Sequence, residues 1–285
     1  MLAAREILRS AIVRPLKRRM RMRRADALAR YDRARFHCPV CGYEGLFIDA
    51  PGPSGGRKYG CCPECGSFER HRLQAAALGT ILRDFAPELK SALHFAPEPG
   101  LSEMIRSRFH VYKTADLSQP GVDYNCDLRG LPFDAGMFDF VFASHVLEHI
   151  QEDRLAIGEL YRILKPGGMA VLPVPIVCDA TIEYPTPVAT EDGHVRGPGV
   201  DYFKRYWDAF DDVEIFSSAD FSTTFQPFIF EDRSQVPNLA MPYRQPMRGY
   251  RHLDYVPVCL KAPCHRIVGE AGTAAARSRA EVRAA

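Results

Sequence analysis

Two stretches decide the fold of this 285-residue chain: Ala92-Leu93-His94-Phe95-Ala96-Pro97-Glu98-Pro99-Gly100 and Phe138-Asp139-Phe140-Val141-Phe142-Ala143-Ser144-His145. The first opens as an apolar strand and breaks at a turn built from prolines and a glycine. A helical segment follows from Ser102, then a second strand, His110 to Ala115, ending on Asp116. The other stretch reads as a further strand, and the helix after it is closed by Lys165-Pro166-Gly167-Gly168. Strand, turn and helix in alternation predict βαβ units, hence a parallel sheet with helices on both faces. Ligands of such sheets bind beyond the carboxyl ends of the strands, where the strand order reverses. Asp116, an acid at a strand tip, stands where the hydroxyls of a ribose would be held. A nucleoside-type cofactor site is expected there.

Working outward, the length allows one substantial domain with small attachments and a core that needs no staples. The longest apolar run, Val171 to Val177, holds two prolines and is far short of a spanning helix. The N-terminus gives no apolar block before a cleavage site, so no signal peptide is expected. Nine cysteines are too few for a disulfide scaffold, and two close pairs among them predict a metal site in a reducing, cytoplasmic setting. The net charge of +2 hides an asymmetry: residues 1–36 hold 12 Arg or Lys and 3 Asp or Glu, giving +9, so the remainder carries 2 − 9 = −7. Residues 1–36 therefore form a basic arm, with Leu8, Ile12 and Leu16 spaced for one helical face and Pro15 interrupting it. Such an arm suits peripheral contact with the anionic inner face of a membrane or an acidic partner. It could equally be a solvated terminus or lie on the acidic body of the protein itself.

Residues 37–67 carry Cys38-Pro39-Val40-Cys41-Gly42 and Cys62-Pro63-Glu64-Cys65-Gly66 with twenty residues between the pairs. Each C-x-x-C-G can turn both sulfurs into one pocket, and two such knuckles make a tetrahedral four-thiolate site suited to structural zinc. Cys38, Cys41, Cys62 and Cys65 are the expected ligands, with Cys61 a spare that could exchange with Cys62. Apolar spacing from Phe68 to Phe85 predicts a helix leading out of this ribbon. Cys178 to Pro198 reads as a loop over the strand tips, Tyr202 to Phe210 as a short aromatic helix, and Phe221 to Gly249 as an irregular insertion. Val213 to Phe216 and Tyr255 to Leu260 are late strands. Residues 68–265 thus form the main domain, with loop and cap insertions over 178–250, and 266–285 is a compositionally disordered tail.

Leu131-Pro132-Phe133, Phe138-Asp139-Phe140-Val141, Leu147-Glu148-His149-Ile150 and Leu164-Lys165-Pro166-Gly167-Gly168 are weak one by one. In this order and spacing the chain resembles the class I S-adenosylmethionine-dependent methyltransferases, of the small-molecule type 11-like kind, over roughly residues 90–176. The resemblance implies an α/β, Rossmann-like domain with a mostly parallel seven-stranded sheet, here behind a small zinc ribbon. It also implies S-adenosylmethionine as cofactor, with Asp116 on the ribose, Leu117 beside it, and Asp127 and Leu128 at the adenine. Ser144 and His145 would face the transferred methyl group. The first turn departs from the family: His94 stands at the usual acidic position and Ala96-Pro97-Glu98 replaces the first glycines, leaving Gly100. Two prolines donate no N–H, and Glu98 is expected to pair with the amino group of the cofactor instead.

Methyl transfer from a sulfonium is an in-line displacement that rests on holding the partners in register. A base is needed when the acceptor is protonated, and the candidates are His145, His149 and His194. On a helix His145, Glu148 and His149 would share one face and could hold a divalent ion, although no fourth ligand follows at matching spacing. His194, Arg196 and Tyr202 are expected to contact the acceptor. The reading is an enzyme acting at an oxygen of a small-molecule or glycan/lipid-linked acceptor. An RNA substrate is disfavoured by the acidic body, which lacks a basic stripe with interleaved aromatics. A zinc-ribbon adaptor on a scaffold that no longer binds the cofactor is the non-enzymatic alternative.

Overall fold

The strand–helix alternation closes into a single seven-stranded sheet in the computed structural model, which describes residues 2–52 and 55–263. The tail 266–285, expected to be disordered, lies outside the described residues. Helix α1 (Leu2–Leu28) continues through Pro15. The expected interruption does not occur, because a proline removes one bond from the helical ladder while the bonds on either side remain. The ribbon follows as two antiparallel pairs, β1 (Phe36–His37) with β2 (Glu44–Gly45) and β3 (Ile48–Gly52) with β4 (Gly55–Cys61). The second half of α1 lies on this ribbon. Ala25 is buried against Ile48, Ala50 and Cys61. Arg18 Nε donates to Glu64 Oε1 at 2.6 Å, and Arg21 donates to the Pro63 and Glu64 carbonyls at 3.1 Å each. Arg18, Arg21 and Ala25 of the basic arm thus contact the protein's own surface.

Helix α2 (Glu69–Ile81) leads to β5 (Ser91–Phe95), α3 (Pro99–Arg106), β6 (Val111–Asp116), β7 (Tyr124–Asn125), β8 (Phe138–Ala143), α4 (Asp153–Ile163) and β9 (Leu164–Val171). After these come β10 (Ile182–Val188), β11 (His194–Gly197), α5 (Lys204–Trp207), β12 (Asp212–Ser217), the short pair β13 (Ile229–Phe230) and β14 (Arg251–His252), and β15 (Tyr255–Leu260). The sheet order is β12-β15-β9-β8-β5-β6-β7. The strands β5 to β9 are parallel, and β15 is antiparallel to both its neighbours. This is the Rossmann-like, mostly parallel seven-stranded sheet of a class I methyltransferase fold. Period-two alternation along β8 sends Phe140 and Phe142 to one face, against Leu73 and Leu78 of α2 and Ile105 of α3. Val141 and Ala143 go to the other, against Ile157 and Leu160 of α4 and Tyr206 of α5. Chain order reverses between β5 and β8, so a crevice opens beyond their carboxyl ends.

Two local expectations are corrected. Residues 178–198 are not a plain loop: Ile182–Val188 and His194–Gly197 pair as an antiparallel hairpin. Lys165-Pro166-Gly167-Gly168 does not close the helix, which ends at Ile163; these residues open β9, where Gly167 (φ +78°) sits in a bulge.

Candidate active site and metal centre

The two cysteine knuckles fold alike. Cys38 N–H donates to Tyr43 O and Gly42 N–H to Cys38 O, both at 2.8 Å; Cys62 N–H donates to Ser67 O and Gly66 N–H to Cys62 O, both at 2.9 Å. Each turn is closed by a glycine in the left-handed region, Gly42 at φ +74° and Gly66 at φ +81°, which a side chain would strain. The four sulfurs of Cys38, Cys41, Cys62 and Cys65 lie within 4.8 Å of one another, with Cys38–Cys65 at 3.7 Å and Cys41–Cys62 at 3.8 Å. Sulfurs about 2.3 Å from a tetrahedral ion are about 3.8 Å apart, so the donor set fits zinc. Cys61 is not an exchangeable ligand in this fold: its side chain packs beside Ala25, Ile48 and Ala50.

A cavity of about 680 Å³ opens at the carboxyl ends of β5, β6 and β8, within the usual size of a small-molecule site. Ala96, Asp116, Leu117, Asp127, Leu128, His145 and His149 line it. Asp116 Oδ1 accepts from the Ser118 and Gln119 N–H groups at 2.8 and 2.7 Å, while Oδ2 has no partner among the described residues. Asp127 is gripped by Arg129, whose Nη2 donates at 2.7 Å and whose Nη1 reaches Glu152 at 2.8 Å. Leu128 is buried. The first turn bends as a glycine-rich turn would, because Ala96 itself takes φ +47°. Its N–H is spent on Ala115 O at 2.9 Å, and Pro97 and Pro99 have none, which leaves Glu98 and Gly100 as the remaining backbone donors of this turn.

Three expected cofactor residues are placed elsewhere. Glu98 and Gly100 line a different cavity, between the first turn, α1 and the ribbon. Glu98 Oε1 accepts from Arg70 Nη2 at 2.6 Å and lies 2.9 Å from His71 Nε2. Against the opposing effect of burial, these partners hold its carboxyl down at about 2. Ser144 is buried and its Oγ accepts from Gln74 Nε2 of α2 at 2.8 Å. His94 is buried beside Tyr112, with Nδ1 2.9 Å from the hydroxyl, and burial lowers its pKa to about 3.

His145, Glu148 and His149 are not on one helical face. His145 takes φ +56°, Leu147–His149 is a single tight turn, and α4 begins at Asp153. The hairpin β10–β11 instead brings in His194. The rings of His149 and His194 meet edge to face at 4.8 Å, and Glu148 Oε1 lies 3.4 Å from His145 Nδ1 and 4.0 Å from His194 Nε2. Burial would raise the Glu148 carboxyl, but the three imidazoles outweigh it and hold it below its ordinary value. Burial lowers His194 to about 4.

Arg196 and Tyr202 do not reach an acceptor. Both are buried; Arg196 Nη1 donates to Leu147 O and Ile150 O at 2.7 and 2.6 Å, and Tyr202 donates to Asp153 Oδ2 at 2.6 Å. Arg196 thereby pins the hairpin to the Leu147–Gln151 turn and sets His194 beside His149. Sequence reasoning missed Glu191 and Arg244, which support His194, and Arg72, whose guanidinium is wholly buried and donates to five carbonyls between Tyr59 and Gln226. Carbonyl partners up to 154 residues away leave no trace in local pattern.

A family model described as a methyltransferase domain matches residues 79–172, a third of the chain. An uncharacterized 37.1 kDa protein in transposon TN4556 of Streptomyces fradiae is 28% identical over 164 residues, covering 56% of this chain and 40% of that protein. The demethylmenaquinone methyltransferase of Clavibacter sepedonicus is 42% identical over 59 residues, 19% of this chain and 24% of the relative. The malonyl-[acyl-carrier protein] O-methyltransferase of Erwinia billingiae is 29% identical over 87 residues, 30% of this chain and 33% of the relative. The chain thus spans less than half the length of these curated relatives. Among solved structures, the S-adenosylmethionine dependent methyltransferase from Mesorhizobium loti matches at 14% identity and a TM-score of 0.43, covering 66% of this chain and 98% of that one. The strand order, rather than so loose a likeness, carries the fold.

Proposed function

We propose that this chain is an S-adenosylmethionine-dependent methyltransferase with a structural zinc ribbon, acting at an oxygen of a small-molecule or glycan/lipid-linked acceptor. One observation carries it: within the matched domain, the cavity at the switch point of the sheet gathers Ala96, Asp116 and Leu128 from three separate connections. These residues fit the cofactor. The Asp116 carboxylate keeps an oxygen for ribose hydroxyls, Leu128 offers an apolar wall for the adenine, and the left-handed Ala96 keeps the turn in the shape a glycine would give it. Bound there, S-adenosylmethionine supplies an electrophilic methyl group. His145 lines the same cavity and is the candidate proton acceptor for an acceptor hydroxyl. The sulfur tetrahedron supports zinc in the ribbon, closed and without a coordination position for chemistry.

Calorimetric titration of the zinc-loaded protein with S-adenosylmethionine and with its demethylated product tests the reading. Micromolar binding of both is expected, followed by transfer of labelled methyl to hydroxylated acceptors. Binding of neither by a folded protein would turn the assignment to a non-catalytic adaptor. Steeply salt-dependent RNA binding would turn it to an RNA substrate.

A further inference from the structure

Glu148 is completely buried, and neither of its carboxylate oxygens has a hydrogen-bond partner. An anion in that position is unfavourable unless positive charge or donors compensate. The groups that surround it are imidazoles. One ligand atom each from Glu148, His149 and His194 lies within 4.8 Å of the others. These residues come from a turn after β8 and from the hairpin over the cavity, so the tertiary fold, not sequence spacing, assembles them.

We propose that Glu148, His149 and His194 bind a divalent transition-metal ion at the wall of the cofactor cavity. Two imidazoles and one carboxylate suit manganese, iron, cobalt or zinc rather than calcium or magnesium, which favour all-oxygen sites. A carboxylate also stands behind the ring of His194. Its Nε2 is the nitrogen 4.0 Å from Glu148, while its Nδ1 is 3.8 Å from Glu191 Oε2. Glu191 is buried and held by Arg244 Nε at 2.6 Å. At 3.8 Å, with Nδ1 unbonded, Glu191 stands near but outside the hydrogen bond by which such a carboxylate fixes the orientation and tautomer of a metal-bound ring. Three protein ligands leave coordination positions open, and His149 and His145 line the cavity. An acceptor hydroxyl entering that cavity would be polarised by the ion, a role that rests on the methyltransferase reading; the metal site itself does not.

Cobalt(II) is the probe, added by dialysis to the full chain with its ribbon already loaded with zinc. One equivalent of cobalt beyond the zinc is expected, with weak visible bands of nitrogen–oxygen coordination and no intense thiolate charge-transfer band. His149→Ala, His194→Ala and Glu148→Gln should each weaken it at least tenfold, and Glu191→Gln by less than any of them. His149 is exposed, so its alanine variant keeps the fold and the test remains decisive. A folded protein that takes up no second ion, or one whose cobalt affinity is unchanged in His149→Ala and His194→Ala, overturns the site. Calorimetry with S-adenosylmethionine on the same samples separates the two readings: donor binding without cobalt overturns the metal site alone, and cobalt binding without donor leaves the site and overturns methyl transfer.

Discussion

Ala96 and His145 follow the tips of two neighbouring strands, β5 and β8, and both hold a left-handed backbone, at φ +47° and φ +56°. Both line the same cavity. Non-glycine residues in this region store about 1–3 kcal/mol each and persist where the surroundings fix them. Here the Ala96 N–H is tied to Ala115 O and the His145 N–H to Pro173 O, each at 2.9 Å. The strain marks the rim of the site, where the backbone turns away from the ligand space.

Ala96→Gly should leave stability unchanged or raise it by up to about 1 kcal/mol, because relief of strain offsets the larger entropy of the unfolded glycine chain. Ala96→Val should lower stability by at least about 1 kcal/mol. Urea unfolding of both variants checks this; a stabilising valine would show that the turn is not left-handed.

Cys62→Ser should lose the ribbon metal, whereas Cys61→Ser should retain it, since the Cys61 side chain packs among Ala25, Ile48 and Ala50. Metal content by mass spectrometry of the purified variants decides. Chelation of the wild type should unfold the ribbon, because the binding energy of such an ion is folding energy.

Asp116→Ala should weaken S-adenosylmethionine binding by about 1–3 kcal/mol, the loss of a charged hydrogen bond. Glu98→Ala should change that affinity less than about threefold and instead lower stability, because the carboxylate is bonded to Arg70 and His71. Equal loss of donor affinity in both variants would mean that Glu98 swings into the cofactor site.

His94 gives a pH signature. Its folded pKa, about 3, lies below the ordinary 6.5, so the unfolded chain binds a proton that the folded chain refuses. The stability it contributes is complete above pH 6.5 and is lost as the pH falls towards 3. His94→Phe lacks this titration. The stability of the wild type relative to His94→Phe should therefore decline across that window, by an amount on the order of 4 kcal/mol. A constant difference from pH 7 to 4 would show that His94 is not buried in the neutral form.

Arg72→Met should cost about 3–5 kcal/mol, since it strips donors from carbonyls of the ribbon and of the insertion at once. Arg72→Lys should recover only part of this, because one ammonium cannot span the positions a planar fork reaches. Guanidinium unfolding curves measure both.

The parallel sheet was legible in the sequence because strand segments buried on both faces, such as Phe140 to Ala143, must be apolar throughout, and the turns between them break on Pro, Gly and Asp. The four cysteines were legible for a similar reason: a C-x-x-C-G knuckle closes on itself, so its geometry is set within six residues. Asp116 could be placed because strand tips and the ligand edge coincide in this topology. The partners of Glu98, Ser144, Arg196 and Tyr202 were not legible, since each is chosen by an element that arrives from elsewhere in the chain. Nor was the left-handed bend at Ala96 and His145, which local preference opposes and only packing enforces. By itself the sequence determined what depends on neighbours along the chain: strands, helices and the paired knuckles. Tertiary structure alone decided which distant groups meet, above all His194 beside Glu148, because burial and unpaired charge are properties of a packed environment and not of a residue's neighbours in sequence.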